Sequence, residues 1–179
     1  ADRRFPGRQE LPGEASKPRS LPENIRPEDI RDFRVTELMR DIAARMDRKL
    51  EVDRNFSIRG AEGQYDFKQG VLRIRKEGDY EVFSHELGHA IEQQLRRDVG
   101  KPLDALLKAH TAELKRLDVN ADDPAKQTVR EGFAEFVRRL INNPAYAAKQ
   151  APGFAPEFAR LLASAPQIRD IINDATLIS

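Results

Sequence analysis

The chain has no cysteine, which excludes disulfides, thiolate metal sites and cysteine nucleophiles. It has no tryptophan either and only three histidines, so the position of each imidazole carries weight. Neither sign of charge is in excess. Against 31 Lys and Arg stand 30 Asp and Glu, a net of +1, and that balance leaves no electrostatic footprint for general nucleic-acid binding. No apolar run approaches the length of a membrane span, which argues against an integral membrane protein. No signal-peptide core opens the chain, which begins at Ala1, as a processed form or a piece of something larger would.

What is present suits one ordinary domain, or one domain plus a tail, in 179 residues of which 39% are hydrophobic. Residues 1–26 carry Pro6, Pro12, Pro18 and Pro22 among many charges. They bury too little apolar surface to offset ordering entropy, and the expectation is a flexible arm followed by a folded unit over residues 27–179. From Pro27 the apolar spacing turns helical through Ile30, Val35, Leu38, Met39, Ile42 and Met46. Residues 50–60 suggest a short strand and loop. Alternation at Tyr65 and Phe67, a turn at Lys68-Gln69-Gly70 and alternation over 71–75 predict a hairpin, with Leu72 and Ile74 inward and Val71, Arg73 and Arg75 outward.

Helices fill the remainder. Asp79 can cap a helix from Tyr80 to Arg97 that ends before Gly100. Pro102 opens a helix faced by Leu103, Leu106, Leu107, Leu114 and Leu117. Asp123-Pro124 is an N-cap and N1 pair for a helix that stops at Asn142-Asn143-Pro144. Phe154, Phe158, Leu161 and Leu162 mark another, broken near Pro166, and Ile168, Ile171 and Ile172 a last short one. The expected class is α+β, mostly helical, with a small antiparallel sheet or hairpin packed on the helix at 80–97.

That helix contains His85-Glu86-Leu87-Gly88-His89, the HExxH pattern. Four residues is one turn plus about 40°, so both imidazoles leave one face and can reach one zinc ion. Glu86 sits about 100° round the helix, where it can contact a water on that metal without being a ligand. Phe83, Leu87, Ala90 and Ile91 fall opposite the histidines, which conflicts with a core role for the pair. A catalytic zinc needs a third protein ligand. His110 lies on a leucine face, where a histidine is usually a satisfied core residue. The alternative is a carboxylate. In Glu131-Gly132-Phe133-Ala134-Glu135-Phe136, the apolar Val129, Phe133, Phe136, Val137 and Leu140 cluster opposite Glu131, and Glu131 and Glu135 share the polar face. The wheel alone does not rank these two.

HELGH followed by EGFAEF resembles the gluzincin clan of zinc metallopeptidases. The resemblance implies a zincin-like fold, with Glu131 as the third zinc ligand and Glu135 as a carboxylate that steadies a ligand histidine. The hairpin, HELGHAIE and the segment from Glu131 to Phe158 also resemble peptidase-like domains of large phage and mobile-element polyproteins. The sequence leaves the localisation open, with the bacterial cytoplasm and delivery by a phage or effector system as the candidates. The implied mechanism has zinc on His85, His89 and Glu131 and Glu86 as general base for the attacking water, with a protein or peptide as substrate. Tyr146, Arg138 and Tyr80 are candidates for the oxyanion donor. In the clan an edge strand aligns the substrate, and the strand at 71–75 is the candidate here, with Arg73 and Arg75 also readable as guards against edge aggregation. The alternative is a catalytically idle zinc-binding fold used as a docking module, and retention of Glu86 favours the enzyme. An accidental HExxH in a nucleic-acid or scaffold protein fits poorly with the neutral charge and the second motif.

Overall fold

The computed structural model describes residues 24, 26–56, 58 and 61–179, so the arm expected over residues 1–26 lies outside the described residues apart from Asn24 and Arg26. In order, the elements are α1 (Pro27–Arg45), β1 (Lys49–Val52), β2 (Gly63–Asp66), β3 (Val71–Ile74), α2 (Tyr80–Asp98), α3 (Lys101–Ala109), α4 (Thr111–Lys115), a 3-10 turn (Pro124–Lys126), α5 (Val129–Asn142), α6 (Pro144–Gln150), α7 (Phe154–Leu162) and α8 (Pro166–Ile178). The fold is α+β and mostly helical, with one small mixed sheet. No helix among the described residues is long and apolar enough to cross a membrane.

The hairpin forms where the alternation places it. Asp66 Oδ1 accepts from the amides of Lys68 and Gln69, and Gly70 supplies the positive φ of 67° that closes the turn. Two expectations fail here for one reason. The strand order is β1-β3-β2, with β1 parallel and β2 antiparallel to β3, so β3 is the middle strand and no peptide can add to it. Lys49 and Asp66 flank Val71 on its outward face, leaving it only 7% exposed. Arg73 likewise guards no edge: it is held by Glu51 on β1 (3.1 Å) and by Gln64 on β2 (3.3 Å). β1 was missed as a partner because a parallel pairing across 22 residues has no local sequence signal.

Helix ends also differ from expectation. The leucine-faced helix is two helices, α3 and α4, separated at His110. Leu103, Leu107, Leu114 and Leu117 are all buried across the break. Seven residues is close to two turns, so a break that preserves the apolar phase is invisible to periodicity. Asp123 caps only the 3-10 turn, and α5 starts five residues later at a Thr128 cap. His110 is satisfied structurally, with Nε2 on Glu157 (2.7 Å) and its ring edge-on to Phe154.

α2 lies at the centre, its Phe83, Leu87, Ala90, Ile91 and Leu95 fully buried. Each of these except the small Ala90 contributes about 1.5–3 kcal/mol relative to exposure. α5 packs on α2 and turns its own apolar back, through Phe133 and Phe136, onto Phe154 and Phe158 of α7, with ring centroids 4.8 Å to 6.1 Å apart. Both helices are thereby fixed from behind, and their polar faces meet on the far side.

Candidate metal centre

The closeness of α2 and α5 comes from glycine. A Cβ on Gly88, within the HExxH, would stand 2.8 Å from Ala134 Cα and 3.0 Å from its carbonyl oxygen. The two backbones therefore cross in near contact one residue before His89. That brings His85 and His89 against the first two turns of α5.

Glu131 stands three residues after the Thr128 cap, where a capping box would turn its carboxylate back onto the Thr128 amide. Here Asp118, buried beneath the loop before α5, accepts from that amide at 2.9 Å. Thr128 Oγ1 in turn accepts from the Glu131 amide at 3.2 Å. The helix end is satisfied without the Glu131 side chain, which is free to reach α2. Its Oε2 lies 3.1 Å from His85 Nε2 and its Oε1 3.3 Å from His89 Nε2. Ligand atoms of all three residues lie within 4.8 Å of one another, the one such cluster among the described residues. Tetrahedral zinc with bonds of ~2.0–2.1 Å separates its ligands by ~3.3 Å. The two contacts match that spacing, and two imidazoles with a carboxylate are a donor set that suits zinc.

Glu135, one turn on and only 3% exposed, meets the other nitrogen of His85, with Oε1 2.7 Å from Nδ1. Arg138 clamps Glu135 through Nε (3.1 Å) and Nη2 (2.8 Å), and reaches Glu81 at 3.2 Å. His89 has no such support; its Nδ1 is buried with no hydrogen-bond partner among the described residues.

No protein-family model, curated protein or solved structure matches the chain significantly. The chemistry of the centre therefore rests on its own geometry.

Glu86 lines the same cavity from beside the histidines and stands outside the metal-ligating cluster. Burial pushes its carboxyl upward, against the pull of both histidines and the Tyr65 amide. Room for it on the opposite wall comes from Gly63 in β2, where a Cβ would stand 3.0 Å from Glu86 Oε1 and 2.5 Å from Val82. The cavity, about 810 Å³, runs between β2 with its preceding loop and the start of α5.

Burial alone would lower the His85 imidazole, but its hydrogen bonds to Glu131 and Glu135 outweigh that and raise it to about 10. Burial likewise works to raise Glu135, and the bonds from His85 and Arg138 prevail, holding it at about 2. Hydrogen bonds from His85 and His89 hold Glu131 well below the usual carboxylate range. The cluster thus favours one added positive charge. A metal ion takes neutral imidazole, so it must displace the His85 proton. Zinc binding at neutral pH is expected to release about one proton from His85, with apparent affinity rising as much as ~10-fold per pH unit through the neutral range. Calorimetry in buffers of different ionisation enthalpy measures the release, and a buffer-independent heat would contradict it.

The expected oxyanion donors are not assembled. The Tyr80 hydroxyl donates to the Ala175 carbonyl and pins α2 to α8. Tyr146 is 44% exposed, packs under Arg139 and does not line the cavity. Arg138 lines it but is committed to Glu135 and Glu81. Sequence reasoning missed Gly63 and Asp118. Thr128-x-x-Glu131 was a readable capping-box signal for the start of α5, whereas Gly63 and Asp118 act through contacts distant in sequence.

Proposed function

We propose that the chain is a zinc-dependent metallopeptidase with a zincin-like fold, hydrolysing peptide bonds in a protein or peptide substrate. The observation that carries this reading is the convergence of His85, His89 and Glu131 from two helices at zinc-like spacing, with Glu86 beside them in one cavity and outside the ligand set. Zinc, when bound, lowers the pKa of a water and polarises a substrate carbonyl.

The chain's own residues do the rest. Glu135 fixes the ring of His85 so that Nε2 faces the centre. Glu86, its carboxyl raised by burial, takes a proton from the attacking water on a carboxylate oxygen. It returns that proton to the leaving amine nitrogen as the C–N bond breaks. β2 borders the cavity through Gly63, Gln64 and Tyr65, and its outer edge is the sheet edge available to an extended peptide.

Glu86→Gln keeps the side-chain volume and removes the base. Zinc content is expected to stay at one per chain while hydrolysis of any cleaved peptide falls at least ~100-fold. Unchanged turnover would overturn the mechanism. If the unmodified zinc-loaded chain cuts nothing in a broad peptide library, the centre is a docking module that retains its metal.

A further inference from the structure

The two ends of the cavity differ in charge, and one residue makes the difference. α5 runs antiparallel to α2, so Arg138 meets Glu81 before His85 while Arg130 meets Glu92 beyond His89. The end at Glu62 and Glu81 is acidic, and its arginine is spent on Glu135 and Glu81. At the other end Arg130 has no comparable partner. Its nearest carboxylate is Glu92 at 3.8 Å, its side chain is 59% exposed, and it lines the cavity.

Its placement runs against the field of its own helix. Arg130 is the second residue of α5, where the positive helix end disfavours a cation. What holds it is the ring of Phe67 on the opposite wall, with the guanidinium carbon 4.9 Å from the ring centroid and that ring 5.9 Å from His89. Stacking on an aromatic face fixes the guanidinium plane and leaves its in-plane N–H groups to grip a carboxylate in bidentate fashion. Arg130 is also the immediate neighbour of Glu131, so this anion grip lies one residue from the metal centre.

We infer that Arg130, stacked on Phe67, is a specificity-determining anchor for a carboxylate of the substrate, seated beyond His89. The inference rests on the peptidase reading for its substrate. The carboxylate can be the peptide's own C-terminus or an Asp or Glu side chain.

The test measures binding to the zinc-loaded full chain carrying Glu86→Gln. Three N-terminally labelled peptides share one neutral sequence: a C-terminal amide, a free C-terminus, and an amide with one Glu introduced. At least one carboxylate peptide is expected to bind ~10–100-fold tighter than the plain amide, and the tighter of the two names the source. Adding Arg130→Gln should erase the difference with zinc still at one per chain, and Arg130→Lys should restore part of it. With Arg130 in place, raising salt should shrink the difference, a reading independent of any Arg130 variant. Equal affinities for the three peptides, no binding at millimolar peptide, a salt-independent difference, or a preference surviving in Arg130→Gln would each overturn the anchor. An intact preference in a chain whose Glu86 form cuts nothing in a broad peptide library would overturn the peptidase reading and leave the anchor standing.

Discussion

Glu131→Ala is expected to abolish zinc binding at micromolar metal, whereas Glu135→Ala weakens it by about 10–100-fold. The two carboxylates sit one turn apart on α5 and differ in what they touch. Glu131 offers an oxygen to Nε2 of each histidine, at 3.1 Å and 3.3 Å, so its loss removes the carboxylate that bridges both. Two imidazoles alone are short of the three protein ligands a catalytic zinc keeps. Glu135 touches only Nδ1 of His85, and its second anchor is Arg138 rather than the centre. Without it His85 keeps its place on α2 but loses its orienting bond. Titration of both variants against a chromophoric chelator measures the ranking. The reverse order would transfer the ligand role to Glu135, and unchanged affinity in Glu135→Ala would reduce it to a partner of Arg138.

The second large effect is expected where one backbone meets another. A Cβ on Gly132 would stand 1.9 Å from the Leu114 carbonyl oxygen and 2.5 Å from its carbonyl carbon. Both atoms belong to the backbone of α4, so no rotamer change relieves the contact. Gly132→Ala must push α5 away from α4 or fail to fold. Overpacking typically costs about 1–3 kcal/mol, and a backbone clash lies at or above the top of that range. For a chain of this size that corresponds to a fall in Tm of about 6–12 °C. Because Glu131 precedes Gly132, the displaced helix should also lose zinc affinity. Calorimetric melting with and without zinc checks both, and a wild-type Tm would show that α4 and α5 do not meet as described. The glycine of EGFAEF is therefore explained by packing.

Much of the centre was legible before any fold was known, because its pieces are local. The HExxH register and the apolar stripe of Phe83, Leu87, Ala90 and Ile91 both follow from 3.6 residues per turn, and so does the polar pairing of Glu131 with Glu135. The Asp79 cap and the hairpin turn at 68–70 are likewise written in a few adjacent residues, and both form. Local periodicity could not rank the two glutamates, and it stayed silent wherever the partner came from a distant segment. β1 beside β3 made a middle strand of an expected edge, and the phase-preserving break at His110 carried Leu114 onto Gly132. Asp118 took over the Thr128 amide and released the Glu131 side chain. Phe67 and Arg130, 63 positions apart, became one stacked pair across the cavity. Residue spacing along a helix determined which side chains could share a metal. Close backbone approach at Gly63, Gly88 and Gly132, together with contacts between distant segments, decided where the cavity opens and which charges line it, because such contacts depend on how elements pack and leave no period in the sequence.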